Sequence, residues 1–308
     1  METKKEKTKV NIKEHKKDDV MSPWKVTFRR LKRNHLAIAG LIILVVFILL
    51  AIFGPILSPY SMESLDLNNI SAAPTFAHPL GTDDVGRDIF TRLMFAGRIS
   101  LTVGVVAVAI SVIIGGILGG ISGFYGGWAD NVIMRIVDIF MCFPSLPLLI
   151  MFGAVMSDWQ VPPEYRIFIV MFVIGFLSWP FLCRIVRGQI LSLREQEFMQ
   201  AAEALGLRDK SKIFRHLLPN TFASIIVSAT LGIGGAILTE SALSYLGLGV
   251  TPPTPSWGSM IQVVNDLYVL QNEPWKWIPP GVCIFLTVMS INLFGDGLRD
   301  ALDPKLKR

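Results

Sequence analysis

RGQILSLREQEFMQAAEALGLRDKSKIFRHLLP, Arg187 to Pro219, is polar, charged and periodic at helical spacing, yet it lies between two long apolar segments. Such a stretch belongs in water, while its flanks belong in a membrane. The spacing predicts a helix carrying Gln200, Ala201 and Ala202, stopped by Gly206, and then a second short helix halted before Pro219. The helix-turn-helix so formed has a face of small residues, onto which the surface of another protein can approach close to the backbone.

Working outward, the chain is 52% hydrophobic and 17% charged with a mean hydropathy of +0.52, outside the range of ordinary soluble domains. Six segments are long and apolar enough to span: Leu36 to Leu57, Ile99 to Ile121, Val132 to Met156, Ile167 to Val186, Thr221 to Leu246 and Ile278 to Leu298. The fold class expected is all-α and polytopic. Its parts are a basic N-terminal tail (1–35), a first span (36–57), an outer collar (58–98), a five-helix core (99–298) holding the loops 187–219 and 247–277, and a C-terminal tail (299–308). The first apolar run is too long for the core of a signal peptide, and no small-residue cleavage site follows before Pro55 and Pro59, so it reads as a retained span.

Charge orients the bundle. Of the 29 lysines and arginines, all but Arg87, Arg92, Arg98, Arg166 and Lys276 fall on one side, which places both termini and the 187–219 loop in the cytoplasm. The net charge of +5 follows from that asymmetry and gives no reason to invoke nucleic acid; the lysine-rich start, Met1 to Lys17, reads as a disordered tail drawn to anionic lipid. Cys142, Cys183 and Cys283 sit on different spans, and the four histidines are dispersed, so neither a disulfide framework nor a metal site is expected.

In the collar, HPLGTDDVGRDIFTRLMFAGRISL has turn-forming Gly81 and Gly86, acids Asp83, Asp84 and Asp88 facing Arg87 and Arg92, and an apolar stripe Ile89, Phe90, Leu93, Met94 expected on an interfacial helix. Gly115, Gly116, Gly119, Gly120 and Gly123 give the second span a face for close helix approach, either fixed or sliding. Arg135 and Asp138 share a helical face, as a structural ion pair that anchors the helix, as part of a gate or in contact with the 187–219 loop, and Pro144 and Pro147 behind them predict a kink. Glu240 is an isolated charge near the outer end of the fifth span, suited either to contact with a ligand or an external partner or to satisfying a bend between helix and loop. The last outer loop, with TPPTPSWGSM and NEPWKWIPPG, suits the water–membrane boundary through Trp257, Trp275 and Trp277.

These motifs together carry a resemblance. The Gln200-Ala201-Ala202 run, Gly206, and His216-x-Leu218-Pro219 resemble the coupling loop of binding-protein-dependent ABC importer permeases, with Gln200 where the family has Glu and His216 where it has Ile. The HPLGTD-x-x-GRD string, RISLTVG, FYGGWAD, MRIVDIFMCFPSLPLL, ESALSYLGLGVTPPTPSWG and GDGLRDALDP resemble the C-type subunit of the dipeptide and oligopeptide branch. The resemblance implies a type I importer permease fold in the bacterial cytoplasmic membrane. It also implies a second, B-type permease, two cytoplasmic ATPases that bind ATP and Mg, and an extracytoplasmic peptide-binding protein touched by the collar and last outer loop, with Asp83, Asp84, Trp257 and Tyr268 as contact candidates.

Alternatives within the class carry nickel complexes or other small solutes; outside it stands a secondary transporter, which has no need of a 33-residue cytoplasmic helix-turn-helix. The chain has no GxxxxGK[ST] loop, no HExxH and no Gly-x-Ser-x-Gly elbow, so the expectation is a non-catalytic subunit without a cofactor of its own.

Overall fold

A computed structural model describes residues 23–302; the N-terminal tail up to residue 22 and the C-terminal residues 303–308, including the expected lysine-rich segment, lie outside them. The described residues are helical, with no strand among them. A short basic helix, α1 (Pro23–Arg33), precedes the first span, α2 (His35–Leu57), and Asn34 between them caps α2 by accepting from the Ala37 N–H at 3.1 Å. The other long elements are α3 (Ile89–Tyr125), α4 (Gly127–Cys142), α5 (Ser145–Asp158) and α6 (Pro163–Arg194). After them come α7 (Glu197–Ala204), α8 (Asp209–Ser211), a π turn at Lys212–Leu217, α9 (Leu218–Tyr245), α10 (Trp257–Ile261), α11 (Leu267–Asn272) and α12 (Pro274–Leu302). Among the described residues, five helices are long and apolar enough to cross a membrane, six if α4 and α5, bent by 76° at their junction, count as one span.

Three local expectations change. The stripe at Ile89, Leu93 and Met94 is no separate interfacial helix: Asp88 caps α3 by accepting from the Thr91 N–H at 2.8 Å, and no proline follows, so the helix runs unbroken for 37 residues. The third span is broken outright, because Pro144 caps α5 and cannot continue α4. The second short helix of the 187–219 segment is not halted before Pro219. The chain passes through the π turn into α9, with Pro219 in the first helical turn where its missing N–H is tolerated.

Packing centres on α3 against α6. A β-carbon on Gly115, Gly119 or Gly123 would lie 2.8, 2.6 or 2.9 Å from the carbonyl oxygens of Trp179, Cys183 and Arg187, so only hydrogen fits there. Gly175 of α6 returns the contact, 2.5 Å from the Ala107 oxygen by the same measure. Gly116 and Gly120 stand outside this seam; the first meets nothing within 4 Å and the second meets only side chains. A different repair secures α2. Pro55 cannot donate to the Ala51 carbonyl one turn back, and Arg98 of α3 does so instead, its Nε 2.5 Å from that oxygen and its Nη2 2.6 Å from the oxygen of Ile52.

Candidate functional site

At one end of the bundle the 197–219 segment forms a small unit with a rooted side and an exposed side. Met199 and Leu217 sink into a cluster with Leu182, Val186, Ile190 and Ile225, and Ala202 is buried beside them. Gly206 has φ +67°; the Leu207 N–H donates to the Ala202 oxygen at 3.1 Å and the Gly206 N–H to the Glu203 oxygen at 2.9 Å, a C-terminal capping pair that needs a left-handed residue. Lys212, 9% exposed, ties α7 to the π turn through Asp209 at 2.9 Å and Glu203 at 3.8 Å, with its ammonium over the Phe124 ring. Asn220 donates to the His216 carbonyl at 2.6 Å, which satisfies an oxygen beside the π turn. The opposite side presents Gln200 and Ala201 with Phe198, Leu205 and Phe214, the last three 40, 79 and 47% exposed. Apolar side chains in that position, flanked by charges and outside the span, form a surface suited to a protein partner.

Two acid–base pairs brace the same end. Asp138 receives Arg184 Nη2 at 2.5 Å, while its helical neighbour Arg135 stands 3.7 Å away and largely in solvent. Asp130 is gripped more firmly: Arg187 Nε and Nη2 reach its two oxygens at 2.5 and 2.6 Å, and the Ser122 hydroxyl adds a third contact. Sequence reasoning singled out Arg135 with Asp138 but passed over Asp130 and Arg187. The signal was present: the two acids lie two turns apart on α4, the two arginines one turn apart on α6, so like faces confront each other.

Glu240 is fully buried toward the other end. Its carboxylate accepts from Ser244 Oγ at 2.7 Å and Ser100 Oγ at 3.2 Å; Ser100 Oγ accepts from the Trp257 N–H at 3.2 Å and Ser244 Oγ from the Val250 N–H at 3.0 Å. One carboxylate thus joins α3, α9 and the loop leading to α10. Its sealed position favours the bend-satisfying role over contact with cargo.

The collar is pinned by its own motif. Asp88, buried with His78 at 3.0 Å, links the cap of α3 to a ring on which Tyr60 stacks. Asp83 binds Arg87 at 2.7 Å and lies 3.6 Å from Arg92. Asp84 instead pairs with Lys276, a nearly buried ammonium that also meets Glu273 and the Ser71 hydroxyl. On the collar surface, the Asn69 amide 2.7 Å away and the Asn68 N–H hold the Asp66 carboxyl below the usual range. Of the candidate contact residues, Tyr268 is 64% exposed. Trp257 is not available to a partner: it is 2% exposed, its Nε1 donates to the Leu93 oxygen at 3.1 Å, and its ring meets Phe47 edge-on, so it fastens the loop from beneath.

The model of the binding-protein-dependent transport system inner membrane component family matches residues 111–308, and that of the N-terminal TM domain of oligopeptide transport permease C matches residues 22–74. The chain is 46% identical to the dipeptide transport system permease protein DppC of Alkalihalophilus pseudofirmus, covering 93% of this chain and 91% of that one. It is 41% identical to the glutathione transport system permease protein GsiD of Escherichia coli, covering 95 and 94%.

Proposed function

The chain belongs to the binding-protein-dependent transport system inner membrane component family, and from that premise we propose that it is one half of a heterodimeric permease that moves short peptides into the cytoplasm. The observation that carries the reading is the 197–219 unit, rooted by Met199 and Leu217 but presenting Phe198, Ala201, Leu205 and Phe214 outward. A rooted lever with an apolar outer face is what a soluble motor subunit needs in order to push on a membrane bundle. The subunit does no covalent chemistry. Two partner ATPases hold ATP and Mg, a B-type permease completes the path, and an extracytoplasmic binding protein delivers cargo to the collar and the loop around Tyr268.

Force enters at Gln200 to Pro219, passes through the π turn into α9 and through the Asp130–Arg187 and Asp138–Arg184 pairs into α4 and α6, and alternates access to the interior. Arg135 adds a weak third member to the second pair. At the far end Glu240 holds the outer loop in register with α3. Peptide cargo fits the names of both relatives, since one is a dipeptide permease and glutathione is itself a small peptide.

The test is purification of the complex from its native membrane followed by reconstitution with the binding protein. Two ATPase subunits and a second permease should travel with the chain, and vesicles should accumulate trialanine only with ATP on the ATPase side. Accumulation driven by an ion gradient without ATP would establish a secondary transporter instead.

A further inference from the structure

Between α3, the α4–α5 break, α6 and α9 lies a cavity of about 440 Å3, within the size range of small-ligand sites. No ionisable side chain lines it. Hydroxyls do: Ser111, Ser145, Ser178, Ser228 and Thr239 face it among aromatic and small residues. Ser178 and Thr239 donate to carbonyl oxygens of their own helices at 2.7 and 2.8 Å, which leaves their lone pairs free to accept. Ser111, Ser145 and Ser228 have no hydrogen-bond partner among the described residues, and Ser111 is 93% buried, at 7% exposure. Hydroxyls that line a cavity and make no bond within the chain can donate to, or accept from, a molecule bound there.

The broken span adds polarity of its own. Pro144 gives the 14-residue α5 no side-chain cap, so the N–H of Ser145, a residue that lines the cavity, is left without a capping side chain. The wall therefore offers both donors and acceptors without a fixed charge, as the amide groups of a peptide main chain require. Charged walls would trap one class of side chain and slow its release.

We propose that this cavity is a peptide subsite inside the membrane, contacting main-chain amides through Ser111 and its neighbouring hydroxyls and limiting cargo by volume rather than by charge. The proposal rests on the peptide-permease reading and adds the place and chemistry of contact. Gly235 tests it, because it lines the cavity and a β-carbon there meets nothing within 4 Å, so larger side chains enter empty space without straining the fold.

The experiment follows trialanine import by the complete transporter in proteoliposomes for Gly235→Ala, Gly235→Val and Gly235→Phe. Import should fall stepwise with added volume, by about tenfold or more at Phe, while ATPase subunits remain bound and the loaded binding protein still stimulates ATP hydrolysis. Ser111→Ala should lower import several-fold with thermal stability unchanged, since no hydrogen bond within the chain is lost; a merely structural serine would lose stability first. Wild-type import by Gly235→Phe, or loss of import only where the complex falls apart, would overturn the subsite. Absence of trialanine import by the unmodified complex would instead count against the peptide reading itself.

Discussion

At Gly206 the backbone turns with φ +67°, and a β-carbon there meets no neighbour within 4 Å. The requirement for glycine is therefore conformational and not steric crowding by another element. Gly206→Val should cost about 1 to 2 kcal/mol through the left-handed conformation alone, enough to unseat the α7 cap without unfolding the spans. Ala201→Trp acts from the other side, since Ala201 is exposed and the indole would stand off an approaching partner. Both variants should reach the membrane at normal abundance and lose peptide uptake, and Ala201→Trp should also lower recovery of the ATPase subunits on purification. Full transport by both would show that this segment is an ordinary solvated turn. Single residues elsewhere act as fasteners: Arg98 supplies the donor that Pro55 lacks, and Glu240 gathers hydroxyls from two helices that each hold a backbone N–H of the outer loop.

Elements were legible in the sequence where one signal dominated. Long apolar runs gave α2, α9 and α12 within a few residues, Pro144 marked the break of the third span, and α6 overran its apolar run, continuing through the polar residues after Val186 to Arg194. Competing signals were harder. The polar collar end and the apolar second span read as two helices because hydropathy changes between them, but helical continuity depends on backbone donors and Asp88 supplies one cap for the whole of α3. Pro219 read as a stop because the local rule cannot see a π turn, which depends on how the preceding residues pack. Trp257 looked interfacial from composition and is interior, for its burial depends on Gly97 and Phe47, distant in the chain. The glycine run named the right helix, yet only Gly115, Gly119 and Gly123 meet the α6 backbone. Gly119→Leu should therefore force α3 from α6 and sharply reduce the folded protein, since its first added carbon would already lie 2.6 Å from a carbonyl oxygen and overpacking against backbone exceeds the usual cost of about 1 to 3 kcal/mol. Gly116→Leu, with nothing within 4 Å of the new β-carbon, should be far milder. Membrane abundance and thermal aggregation of the detergent-solubilised pair measure the difference; equal loss in both would remove the seam from the argument.

For the whole molecule, the basic residues and the two specialised ends must agree on one orientation. The 197–219 unit carries Lys210, Lys212 and Arg215 and joins the α6 arginines, while the collar and α10 to α12 junction hold Lys276 locked against two acids. Lysine and arginine are retained in the short loops on the cytoplasmic side, so the coupling unit should face inward and the collar outward. A cysteine-free version is needed to read this, because Cys142 is exposed even though Cys183 and Cys283 are buried. Single cysteines at exposed Asp209 and Asn272 then report opposite ends. In intact cells with the outer layers permeabilised, an impermeant maleimide should label Asn272→Cys and leave Asp209→Cys unlabelled; breaking the membrane should make Asp209→Cys reactive. Labelling of Asp209→Cys in intact cells would invert the bundle. An inverted bundle would put the apolar face of Leu205 and Phe214 where no ATP-driven partner could reach it, and the lever reading would fail with the topology.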